Sequence, residues 1–296
     1  MRSVVRRMAS ILFFPLFIWS KLYNYHARGR IITLILHDLS DRDIARFKKV
    51  IEFLSKHFRF ITPEQFEEMH LSGNIPKGIS FLITFDDGFV SSKRAAECVL
   101  DPLDIKAAFF CCGSFINMPT QLSKHFVADR IYQKTREADE IKAQEAPMSV
   151  QDVRDLVSKG HMIGCHTDTH PVLSAIDDRD ALAKDFLHSK TRLAEISGRE
   201  IKWFAYPFGR LDCVNRQSFE VIRSHYKFCF SGIGGDTDPS KPYSLTRTCL
   251  TLQDPYYLQL ALILGAANPY YWRRRKQLER LSASDDNKYC YRGQRA

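Results

Sequence analysis

A chain of 296 residues with 45% hydrophobic and 26% charged residues carries enough apolar side chain for a sizeable core, which excludes a disordered protein except over the polar end, residues 282–296. Its 43 Lys and Arg outweigh 34 Asp and Glu by nine charges, an excess suited to a nucleic acid, an acidic substrate or an anionic membrane surface. The cations gather at the two ends (Arg2, Arg6 and Arg7; Arg273, Arg274, Arg275, Lys276 and Arg280) with no basic stripe between and no nucleic-acid-binding motif, so nucleic acid is set aside as a partner.

Met8–Trp19 is an apolar run behind the first three of those cations, shorter than the ~20 residues a spanning helix needs. Seven further apolar runs read as strands: Ile31–His37, Ile79–Phe85, Lys106–Cys112, Met162–His166, Trp203–Tyr206, Phe228–Ser231 and Ser244–Leu250. Helical segments separate them. Ile44, Phe47, Ile51 and Leu54 recur at helical spacing, and Thr62-Pro63-Glu64-Gln65 has the form of a capping box. Ser149 with Asp152 opens another helix, which Gly160 ends; Leu182, Phe186, Leu193 and Ile196 share one face of a third, with Gly198 after it. Strands alternating with helices predict an α/β fold, a closed or nearly closed βα barrel, in which chemistry gathers where strands end.

Residues 114–147, highly charged from Lys124 to Glu145, read as an insertion, a solvated helical excursion in preference to a lid. Tyr256–Tyr271 carries Leu258, Leu260, Leu262, Ile263 and Leu264 and runs into Trp272 and four consecutive cations. Aromatic residues beside Arg and Lys suit the interface with anionic lipid, so both terminal runs are expected on a membrane surface, facing the cytoplasm. Core helices, an uncleaved anchor reaching the periplasm, and a cleaved signal are the alternatives; no small-residue cleavage site precedes Lys21-Leu22-Tyr23. The eight cysteines form no Cys-x-x-Cys pair. Cys111, Cys112, Cys165, Cys229 and Cys249 lie in strand-like runs as buried thiols, which reads as a reduced compartment.

Thr84-Phe85-Asp86-Asp87-Gly88 closes the second predicted strand. Adjacent carboxylates after an apolar run are costly to bury, and a divalent metal is the usual compensator. Alternation along an extended chain points neighbouring side chains apart, so one Asp binds metal while the other faces a water; a solvated turn is the alternative. His166-Thr167-Asp168-Thr169-His170-Pro171 closes the fourth strand, and two imidazoles at this spacing can converge on one ion. With an Asp they make a His₂Asp site that keeps positions open for water and substrate. Phe204-Ala205-Tyr206-Pro207-Phe208-Gly209 closes the fifth strand in a tight turn whose N–H groups can serve an oxyanion, although alone it is a routine aromatic turn.

In this order the three segments resemble the polysaccharide deacetylases, carbohydrate esterases that share the domain of nodulation-factor chitooligosaccharide deacetylases, over roughly Ile31–Leu250. The resemblance implies a distorted, incomplete (β/α) barrel of about seven strands. It implies Asp86 as base, Asp87, His166 and His170 as metal ligands, and the Phe208 N–H as oxyanion donor. Zn²⁺ fits two imidazoles and a carboxylate best, with Mn²⁺, Co²⁺, Ni²⁺ and Fe²⁺ as alternatives. There are departures. Ala205 stands where the third motif often carries an Arg that pairs with the catalytic Asp, and the later Trp-bearing and Leu-x-His motifs are not evident. Arg247 is the candidate replacement for that cation. His37, with Asp38 beside it, is the candidate general acid, resembling the first-strand His of some branches of the family. An ordinary salt-bridged Arg and a structural His are the alternatives.

The expected activity is metal-dependent removal of an N-acyl group, acetyl above all, from an amino sugar of a polysaccharide or lipid-linked glycan, cleaving a linear amide C–N bond. Its rivals are a catalytically degenerate carbohydrate-binding homologue and a cyclic-amide or phosphoester hydrolase. The expected division is a membrane-associating segment over residues 1–30, a catalytic domain over 31–253 and an apolar, basic extension over 254–296.

Overall fold

In the computed structural model, which describes residues 29–283, the apolar runs become parallel strands of one curled sheet. The strands are β1 (Gly29–Leu36), β2 (Arg59–Phe60), β3 (Gly78–Phe85), β4 (Ala107–Cys111), β5 (Met162–Cys165), β6 (Trp203–Ala205), β7 (Phe228–Phe230) and β8 (Thr248–Cys249). Their order is β7-β6-β5-β4-β3-β1-β8, all parallel. β2 stands off this path. β1 takes one edge of β3 along its whole length, β4 pairs with Ile83–Phe85 on the other edge, and β2 fills the space below at Ser80 and Phe81. The result is the expected distorted, incomplete (β/α) barrel.

The sheet ends meet without a full ladder. One bridge joins Phe230 to Leu245, and the Arg247 N–H donates to the Ile233 carbonyl. This seam is why the last predicted strand shrinks to two residues: Ser244–Arg247 crosses the gap instead of pairing along it. β2 is too short for its period to be read.

Both faces of the sheet are buried, with a two-residue period. In β4, Ala107, Phe109 and Cys111 join the core between sheet and helices, while Ala108 and Phe110 face the barrel interior. The outer layer includes α1 (Asp41–His57), which Ser40 caps and which buries Ile44, Phe47, Val50, Ile51 and Leu54. The predicted capping boxes at Thr62/Gln65 and Ser149/Asp152 both form, opening α2 (Pro63–Ser72) and α5 (Val150–Ser158). Between them lie α3 (Val90–Ala95) and α4 (Thr120–Phe126); beyond come α6 (Arg179–Ser197), ended by left-handed Gly198, and α7 (Arg216–His225). α2 has a second task. Its Phe66 packs on Trp203, Phe228 and Phe230 in the interior cluster, filling the barrel below the strands' C-terminal ends.

The insertion is not a solvated excursion. Phe115, Val127, Ala128 and Ile141 bury themselves with Phe89 and Cys112. One of its charges is buried and paired within it: Glu145, only 1% exposed, accepts from Arg136 Nη1 (2.6 Å), Tyr132 OH (2.6 Å) and the Lys142 N–H (2.8 Å). Burial alone would raise this carboxyl, but the Arg136 and Tyr132 bonds hold it below the ordinary value of 4.5. A depressed folded value stabilises the fold above the unfolded value of 4.5, and the contribution is lost as pH falls below it. Glu145→Gln should therefore destabilise by about 1.5–3 kcal/mol at pH 7 and far less near pH 3, read as the gap between mutant and wild-type melting temperatures. An equal gap at both pH values would overturn the assignment.

No helix among the described residues is long and apolar enough to cross a membrane. Met8–Trp19 lies outside the described residues. The C-terminal run breaks at Gly265 (φ +99°) into α8 (Tyr256–Ile263) and α9 (Asn268–Leu281). Leu258, Leu262 and Ile263 are buried, so the apolar part of the run belongs to the core, while Tyr256, Tyr257 and Trp272 remain exposed.

Candidate active site

The C-terminal ends of the strands bring the predicted residues together. The Asp86 N–H donates to Leu36 (2.9 Å), and the chain then turns through two left-handed residues, Asp87 (φ +75°) and Gly88 (φ +92°). Strand alternation was expected to separate the two carboxylates; the left-handed turn does it, because β3 has already ended at Phe85. Asp87 Oδ1 lies 3.4 Å from Nε2 of both His166 and His170. One ligand atom from each of the three residues falls within 4.8 Å of the others, and all three residues are buried.

The histidines are oriented from behind. His166 Nδ1 lies 2.6 Å from the Ala205 carbonyl and His170 Nδ1 3.2 Å from the Arg130 carbonyl. A carbonyl only accepts, so each Nδ1 carries the hydrogen and each Nε2 is left for a cation. Their loop is clamped by α6: Asp185 accepts from the Asp168 N–H (3.0 Å), and Ser189 Oγ donates to the Thr167 carbonyl (2.8 Å). Four of the eight described non-glycine residues with positive φ are here, Asp87, Thr167, His170 and Phe208, which is strained backbone concentrated at one place.

The electrostatics ask for positive charge. Burial would raise the Asp87 carboxyl, yet the His166 and His170 rings beside it hold it well below the usual carboxylate range. Burial would lower His166, yet the charges of Asp86 and Asp87 raise it. Two imidazole nitrogens and a carboxylate around one point, with second nitrogens already engaged, form a donor set that fits a divalent cation.

Asp86 stands outside that set. Arg247, fully buried, grips it with two parallel bonds, Nη1 to Oδ1 (2.6 Å) and Nη2 to Oδ2 (2.7 Å). Nε donates to the Ser231 carbonyl (2.9 Å), and the guanidinium lies 5.2 Å from the Phe110 ring centroid. The cation absent from the third motif thus reaches the same carboxylate from the barrel seam.

Phe208 (φ +62°) follows β6, its ring 4.6 Å from that of His170, and its N–H has no partner among the described residues. Gly209 is required: a Cβ there would sit 2.3 Å from the Gly232 nitrogen. His37, exposed at the end of β1, faces the same cavity of about 390 Å³. Asp38 beside it carries a carboxyl raised by burial and by the Glu145 charge.

Sequence reasoning missed part of the wall. Ile131 and Tyr132 of the insertion line the cavity, and so does Cys249, half-buried rather than buried. The available signal was the apolar spacing of Phe126, Val127 and Ile131 within the charged stretch.

Comparison with known proteins bears on the fold and the family. A polysaccharide deacetylase from Bacillus cereus has a TM-score of 0.61 at 18% identity, covering 79% of this chain and 69% of that one. The Streptococcus pyogenes deacetylase in complex with acetate gives 0.61 at 18%, covering 79% and 98%. IcaB from Ammonifex degensii gives 0.60 at 20%, covering 80% and 97%. These likenesses are of fold. No curated protein matches the chain. The polysaccharide deacetylase family model matches residues 73–225, just over half of the chain and the part that bears Asp86, Asp87, His166, His170 and Phe208 but neither His37 nor Arg247. The chain belongs to the polysaccharide deacetylase family.

Proposed function

We propose that this chain is a metal-dependent deacetylase that removes the N-acetyl group of an amino sugar in a polysaccharide or a lipid-linked glycan. The observation that carries the reading is the division of labour between adjacent carboxylates: Asp87 points at two imidazole Nε2 atoms, while Asp86 is held apart by Arg247 at the same cavity. Asp87, His166 and His170 would hold the cation, Zn²⁺ by ligand type. Such an ion supplies Lewis acidity and makes a neighbouring water acidic.

The chain's own residues account for the rest. Asp86 accepts a proton from the attacking water, whose oxygen bonds to the acyl carbon. The unused Phe208 N–H serves the oxyanion that develops there. His37, at the mouth of the cavity, is the group placed to donate a proton to the amine as the C–N bond breaks. The products are a carboxylate and an amino sugar. The family membership, the intact ligand set and the occupied Asp86–Arg247 pair support an enzyme over a degenerate sugar-binding homologue.

The test is acetate release from N-acetylated oligosaccharides by the zinc-loaded protein, with phosphate release from phosphoesters as control, and mass spectrometry of native glycans from cells with and without the protein. Saccharide binding without acetate release would favour the degenerate homologue; phosphate release would favour the other hydrolase.

Arg247→Met should cost about 3–5 kcal/mol of stability, because it leaves a buried carboxylate without its partner. It should lower turnover with the metal still bound. Chemical denaturation and elemental analysis check it: an unchanged unfolding midpoint would mean the pair contributes nothing to the fold.

A further inference from the structure

The cations of α9 are not one undifferentiated patch. At about 100° per residue, Trp272, Arg273, Lys276, Gln277 and Arg280 fall on one side of the helix, and all five are exposed. The opposite side is committed to the fold: Leu278 is buried, and Arg275 donates to the Gly234 carbonyl (3.0 Å). Arg274 turns back over the Tyr270 ring, 5.1 Å from its centroid. On the outer side Arg273 and Arg280 meet no acid among the described residues. Glu279, the helix's one acid, is bound by Lys276 and Lys241. Trp272, on the same side as Arg273 and Lys276, is 56% exposed.

The chain outside the described residues joins the fold at the same corner. Arg30 grips Asp236 through Nε (2.6 Å) and Nη2 (2.7 Å), and Asp236 also accepts from Asn268, in the first turn of α9 (3.0 Å). The described chain therefore begins beside the first turn of α9, and the sequence before it carries the apolar run Met8–Trp19 with Arg2, Arg6 and Arg7. An indole beside Arg273 and Arg280, which meet no acid among the described residues, matches the level of lipid headgroups, where the ring is half-wetted and the cations meet anionic phosphate.

We infer that the outer face of α9 is a docking surface for anionic membrane lipid. Docking also holds the active site near the bilayer. Tyr271, next to Trp272, lines a small cavity that shares Gly232 and Cys249 with the catalytic one. The inference does not depend on what that cavity hydrolyses.

Flotation of the full chain with phosphatidylcholine vesicles, with and without phosphatidylglycerol, tests it. Wild type should float with the anionic vesicles and not with the neutral ones. R273E/K276E/R280E should weaken partitioning by about tenfold or more, since each cation near an anionic surface is worth about fivefold. W272A should weaken it further at raised salt. R273Q/K276Q/R280Q, melting at the wild-type temperature, should change in the same direction and so separates lost docking from lost folding. Wild-type partitioning by both triple variants would overturn the inference, because residues 1–28 would then suffice. Equal binding to neutral vesicles, or equally tight binding to duplex DNA, would overturn it too.

Discussion

Asp86→Asn is expected to lose about 100-fold or more of turnover while retaining its metal, because an amide cannot take a proton at neutral pH. The geometry separates the two readouts. Asp86 Oδ2 lies 3.9 Å from His166 Nε2, and both of its oxygens are engaged by Arg247, whereas Asp87 makes the nearer approach to both histidines. Asparagine preserves the shape and one acceptor for the guanidinium, so the cost in stability should be smaller than for Arg247→Met. Turnover above about a tenth of wild type would remove Asp86 from the role of base, given what loss of such a group usually costs. Loss of metal would instead put Asp86 among the ligands.

His166→Ala and His170→Ala should each lose metal and activity together. Each leaves two of three protein ligands and frees a carbonyl, Ala205 or Arg130, that had fixed the ring. By binding the folded state alone, zinc should stabilise wild type by about 2.7 kcal/mol at a hundredfold excess over the dissociation constant and so raise its melting temperature. It should barely move either mutant, and a chelator should return wild type to its metal-free value. Stoichiometric zinc in both purified mutants would place the ligands elsewhere.

The sequence by itself determined what short-range geometry controls. β1, β3 and β4 begin and end within about two residues of the predicted runs, since strands buried on both faces need continuous apolar side chains. The capping boxes at Thr62 and Ser149 formed because each closes over three residues. Asp86-Asp87 and His166-x-x-x-His170 were legible for the same reason: a turn at the end of a strand is enough to present each group. Only the tertiary structure decided the remainder. Arg247 meets Asp86 across 161 residues, a pairing created by the barrel seam, for which the sequence holds only an isolated cation near a strand. The charged insertion became a wall of the site because Arg136 and Tyr132 neutralise Glu145 internally, leaving Phe115, Val127 and Ile141 free to pack. At the C-terminal run, Gly265 lets the chain turn between two helices, so the leucines go to the core and Trp272 goes outside with Arg273 and Lys276. Composition names the groups that can meet, but a long-range contact costs loop-closure entropy that only the whole fold offsets, and so it leaves little local trace in the chain.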